Sequence, residues 1–169
     1  MSIVHAASID AAISLTLDER YAAMEQHRHW SSHDEGNEMA RFNRLHEIVA
    51  ASNAFDAVEA ERVLLSLEAL AHSYGYGCAD SHLSAIDGKT PDEIEDDPHL
   101  AAQVESYESY QENDDYFSNI AQSERILRQA ATTEPAGAFV LRIGTRMDAA
   151  FLKGRACREH QKGHTGDAR

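Results

Sequence analysis

Residues 53–76 read NAFDAVEAERVLLSLEALAHSYGY, and their spacing decides the fold. Placed at roughly 100° per residue, they predict a helix from about Phe55 to Tyr74, capped by Asn53 or Asp56. Leu70, Val63, Leu67, Ala60, Ala71, Leu64 and Ala57 fall on one apolar arc, and Val58, Leu65 and Ala69 on a second, narrower one. Glu61, Glu68 and His72 separate the arcs on one side, and Glu59, Arg62 and Ser66 on the other. A surface helix needs a single apolar stripe. Two stripes describe a helix packed on two sides, so this is the expected central helix of the molecule.

Outward from it, helical spacing recurs. Ile9, Ile13, Leu15, Leu17, Tyr21 and Met24 give an imperfect pattern over 8–30. Met39, Phe42, Leu45, Ile48 and Val49 give a cleaner one over about 38–52. Downstream, GYGCADSHLSAIDGK at 75–89 breaks the pattern and is expected to be the longest loop, with one short helical turn at Ser81–Ile86. Thr90, Pro91 and Glu93 then occupy the N-cap, first and third positions of a capping box. Pro98 restarts the chain into a helix over about 98–112, with Leu100, Val104 and Tyr107 on one stripe. Asn113–Asp115 caps another over about 115–132, carrying Phe117, Ile120, Ala121, Leu127 and Ala131. The segment AFVLRI at 138–143 fits a strand by composition. Phe139, Val140, Ile143, Met147, Ala150 and Phe151 nevertheless keep helical spacing, so a helix is expected over about 136–158. The polar remainder, 159–169, is expected to be a disordered tail.

Composition agrees with this pattern. The chain has 169 residues, 43% of them hydrophobic, with only three prolines and nine glycines to interrupt it. The expectation is a single all-α domain over 1–158, a bundle of about six helices. Cys78 and Cys157 stand far apart and in no CxxC pair, so a reducing, cytoplasmic setting is expected. The N-terminus lacks a basic, then apolar, leader. No stretch approaches the roughly 20 apolar residues that span a bilayer.

Net charge is −14, unevenly spread. Residues 87–124 hold 12 acids against one base, Lys89, whereas residues 125–169 hold nine bases against four acids. Such a chain repels nucleic acid and anionic membrane and attracts basic partners. Glu105, Glu108 and Glu112 share one arc of the 98–112 helix. Asp92, Glu93, Glu95, Asp96, Asp97, Asp114 and Asp115 flank them, and Tyr107, Tyr110 and Tyr116 are interleaved. Like charges one helical turn apart destabilise a helix mildly. A run of them is either a solvated face or a surface that meets a basic partner.

These residues are the expected contact set for a basic protein or ribonucleoprotein surface, with no direct nucleic-acid binding. Small acidic phage or plasmid inhibitors of restriction and CRISPR systems work in this way, some by imitating nucleic acid. The analogy is one of charge and size; no motif carries a family resemblance. Duplex DNA presents one charge per roughly 1.7 Å of axis. A single helical acid stripe offers about one per 5 Å, so mimicry needs acids from several elements.

Other chemistry is weaker. His29 and His33 are four residues apart, with Asp34, Glu35 and Glu38 close by, yet no complete ligand set appears and no metal or cofactor is expected. Cys78, Asp80 and His82 bring nucleophile and base types together in sequence, which does not make a dyad in space. Asp87-Gly88 lacks the ligands of a calcium loop. Gly75-Tyr76-Gly77 has no lysine–hydroxyl pair after it to cradle phosphate. Arg142, Arg146 and Lys153 share a face and are expected to pair internally with the acidic middle. The reading is therefore a non-enzymatic acidic interaction protein. The alternatives are a small metal-dependent or cysteine-using enzyme, and a helical dimerising adaptor.

Overall fold

The computed structural model describes residues 35–109 and 114–165. Among them are seven helices and no strand, so the fold is all-α. The helix expected over 8–30, and with it His29 and His33, lies outside the described residues. In chain order the elements are α1 (Glu35–Ala50), α2 (Ala57–Ile86), α3 (Pro91–Glu95), α4 (Pro98–Glu108), α5 (Asp114–Ala130), α6 (Glu134–Val140) and α7 (Ile143–Thr165).

α2 is the central helix, 30 residues long, and packs against α1, α4, α6 and α7. Asp56 caps it: one carboxylate oxygen accepts from the N–H groups of Val58 and Glu59, both at 3.1 Å. Ala60, Val63, Leu64, Leu67 and Ala71 of the wide arc are buried, and so is Leu65 of the narrow one. Ala57 and Val58, in the first turn, stay exposed. The core gathers Ala60, Val63, Leu64, Leu67 and Ala71 with Leu45, Ile48 and Val49 of α1, Ile120 and Leu127 of α5, Phe139 and Val140 of α6, and Ile143, Met147 and Ala150 of α7.

The segment expected to be a loop after Tyr74 is three further turns of α2. Its glycines do not break the helix, because Gly75 is used for packing. A Cβ there would lie 2.0 Å from the carbonyl oxygen of Phe151 in α7, and one on Gly154 would lie 1.9 Å from the carbonyl oxygen of His72. Glycine costs about 1 kcal/mol in a helix interior, and here two backbones packed side by side offset that cost. Contacts between α2 and α7 advance in the same direction along both helices. Glu68 meets Arg146, His72 meets Gly154, and Asp80 meets Arg158. The two longest helices therefore run parallel. The helix ends at Ile86 with Asp87 as its C-cap, and Gly88 follows with a φ of 70°, a left-handed conformation that favours glycine.

The region expected as one helix over 136–158 is two. α6 starts from its Thr133 cap, the chain turns at Leu141 and Arg142, and α7 begins at Ile143. No part of 138–143 is strand. α7 also runs to Thr165, through seven of the eleven residues expected to be a disordered tail. Its last turns are tied down: Tyr107 donates to Glu159 at 2.6 Å and Tyr76 to Gln161 at 2.9 Å.

Candidate functional site

Two short helices, with Asp96 and Asp97 between them, carry seven of the ten acids expected to meet a partner. The capping box at the start of α3 is complete. The Glu93 N–H donates to the Thr90 hydroxyl at 3.2 Å, and the Thr90 N–H donates to the Glu93 carboxylate at 2.7 Å. That backbone donation, with the Thr90 hydroxyl beside it, holds the Glu93 carboxyl below its usual range. Asp97 caps α4, accepting from the N–H groups of His99 and Leu100 at 3.1 Å each. Both acids thus stabilise helix starts as well as adding charge.

Asp92, Glu95, Asp96, Glu105 and Glu108 have no such role. All five are exposed, and none forms an ion pair among the described residues. Asp115 is exposed as well but stands on α5, which packs with α1, α6 and α7, whereas α4 packs with α2 and α3 and meets α7 through Tyr107. The expected acids therefore stand on three separate helices. Tyr110 and Glu112 lie outside the described residues, and of Asp114 only the backbone, opening α5, belongs to them.

The tyrosines depart from the expected exposed anchors. Tyr107 is 4% exposed and belongs to the interior. His82 stacks on its ring at 3.8 Å between centroids, and Arg155 lies over the ring at 3.8 Å. Burial, then the bond to Glu159, raises its phenol well above the ordinary range. The apolar stripe of α4 explains this: Leu100, Val104 and Tyr107 face the body of the protein, leaving Glu105 and Glu108 outside. Tyr116 is drawn into an aromatic group with Tyr74, Phe117 and Phe151, stacked on Phe151 at 4.7 Å. Its burial, with Glu38 and Asp148 nearby, likewise raises its phenol.

The arginines do not neutralise the acidic middle, contrary to expectation. Arg146 holds Glu68 and, at 2.5 Å, Glu61; Arg142 reaches Glu61 at 3.5 Å; Arg158 pairs with Asp80 at 2.6 Å. All these carboxylates belong to α2. Burial works against the Arg146 cation, and the Glu68 and Glu61 carboxylates more than offset it, so the guanidinium titrates above its usual range. The sequence does carry a signal for this cluster. Glu61, Glu68 and His72 lie between two apolar arcs, and if both arcs are buried the strip between them is buried too. Glu68 and His72 are each 1% exposed. A buried carboxylate requires a cation, and Arg146 is one.

Among the described residues, no group of three or more His, Cys, Asp or Glu is placed to hold a metal ion. Asp80 pairs with Arg158 and His82 stacks on Tyr107, which divides the Cys78–Asp80–His82 triplet between two faces of α2. No described helix is long and apolar enough to cross a membrane. Comparison of the chain with protein-family models, curated proteins and solved structures finds no match to any of them.

Proposed function

We propose that this is a cytoplasmic, non-enzymatic interaction protein whose α3–α4 acids dock on a basic, nucleic-acid-binding surface of a larger protein or ribonucleoprotein. One observation carries the reading. The arginines that could have neutralised Asp92, Glu95, Asp96, Glu105 and Glu108 are engaged by α2 instead, so a one-signed field faces solvent. Such a field steers a basic partner into encounter and repels nucleic acid. Acids on two successive helices also supply what a single stripe lacks for imitating a phosphate backbone. Inhibitors of restriction and CRISPR nucleases are the class this chemistry fits.

The test is capture of partners from a lysate of the source cells at low and at high salt, with wild type beside a variant carrying Asp92→Lys, Asp96→Lys, Glu105→Lys and Glu108→Lys. The expected result is a nucleic-acid-binding partner held at low salt, lost at high salt, and lost in the variant. Exposed charges are screened beyond about 8 Å at physiological ionic strength, so salt and reversal should act alike. Capture unaffected by reversal would mean that these acids are only a solvated face.

A further inference from the structure

α3 and α4 form a side arm rather than a layer of the core. α3 buries no residue, and α4 buries only Leu100 and Tyr107. Among the described residues, the main hydrophobic cluster takes no side chain from either helix. The arm leaves α2 at Gly88, where φ is 70° and nothing lies within 4 Å of a Cβ position. Its other end is held by one assembly. The Tyr107 ring has His82 of α2 stacked at 3.8 Å and 8°, and the Arg155 guanidinium of α7 over it at 3.8 Å. Two groups that close cannot share a face of one ring, so they grip it from both sides. The Tyr107 hydroxyl donates to Glu159 at 2.6 Å, and Arg155 donates to the Tyr107 carbonyl at 3.1 Å.

We infer that α3–α4 is an arm latched by Tyr107, which undocks as a unit while the core stays folded and while the chain keeps it tethered to α2 through Gly88 and to α5. Elements with few buried apolar contacts open locally at lower free energy than the whole molecule. Here the buried contacts are Leu100 and Tyr107, and Tyr107 carries the ring stack, the cation and two hydrogen bonds besides, so it weighs most in the opening equilibrium. The latch stands on this geometry alone. Its consequence, that latching fixes how the acids are presented, rests on the reading of those acids as a docking face.

The experiment is hydrogen exchange read by mass spectrometry on the full-length chain, with no partner present. In the wild type, amides of 91–108 should exchange faster than those of 60–72 and 145–152. In Tyr107→Ala the arm amides should speed up by about tenfold or more while the two core segments keep their wild-type rates. Tyr107→Phe keeps the stack and loses the bond to Glu159, and should give a smaller rise in the same segment. Arm and core rising together would overturn the inference, because Tyr107 would then belong to a single cooperative unit. An arm whose exchange is unchanged in Tyr107→Ala would overturn it as well. Docking is measured separately by capture, so a failed latch and a failed docking face give different results.

Discussion

Arg146 holds two carboxylates at once, and one of them, Glu68, is almost wholly removed from water. Removing the cation would leave that carboxylate buried and unpaired, so Arg146→Met should cost about 3–5 kcal/mol, read by denaturant unfolding. Replacing Glu68 by Gln in the same chain should recover part of the loss, since the stranded charge is then gone. Asp148 behaves in the opposite sense. Burial, and then the nearby Glu124 carboxylate, raises its carboxyl above the ordinary range. A carboxyl raised in the folded state favours folding below its unfolded value, and that contribution is lost as pH rises through the folded value. Asp148→Asn should therefore raise the melting temperature at neutral pH, with the gain shrinking as pH falls through the raised folded value and gone below about pH 4. A thermal melt series across that range checks both halves. The sequence shows Glu68 and Arg146 plainly as residues. It does not show their meeting, because 78 positions separate them and only helix packing brings them together.

At the scale of elements, helix starts were the most legible features. Thr90 and Asp56 each satisfy backbone donors within three residues, so their signatures are local and the structure repeats them; Asp97 caps α4 in the same way, although the sequence reading takes it only as a flanking acid. The course of α2 beyond Tyr74 was misread, because glycine read along the chain is a breaker, whereas Gly75 serves a contact with another helix. Two neighbouring glycines separate these roles. Gly75→Ala places a Cβ 2.0 Å from a backbone oxygen that cannot rotate away, and should destabilise by about 3 kcal/mol or more. Gly77→Ala meets nothing within 4 Å and should stabilise by up to about 1 kcal/mol through helix propensity. Equal effects from the two substitutions, measured by denaturant unfolding, would contradict the close packing of α2 on α7. Tyr107 was misplaced for a related reason. The α4 stripe was visible, but an aromatic ring reads equally well as surface anchor or buried contact until its neighbours are known.

Across the whole molecule, charge is sorted into two populations. Glu61, Glu68 and Asp80 of α2 are neutralised by arginines from the C-terminal third, and exposed acids of α3 and α4 are not. Reversing Glu105 and Glu108 together should therefore leave stability within about 0.5 kcal/mol per site. Against a basic partner the same change should slow association at low salt and matter little at high salt. Thermal melts and association kinetics on one variant test the separation of fold from field. Sequence by itself determined the all-α class, the central helix, the capping box at Thr90, Asp56 as one of two candidate caps, and the excess of acid in 87–124. These follow from periodicity, short-range hydrogen bonding and composition, which need no partner element. Only the tertiary structure decided which acids the arginines neutralise, which glycine is a contact, and that Tyr107 is inside. Each of these depends on α2 and α7 running parallel in one register. That register is set by the close approach of Gly75 and Gly154 to the opposing backbones, a long-range fit that hydrophobic spacing along the chain does not encode.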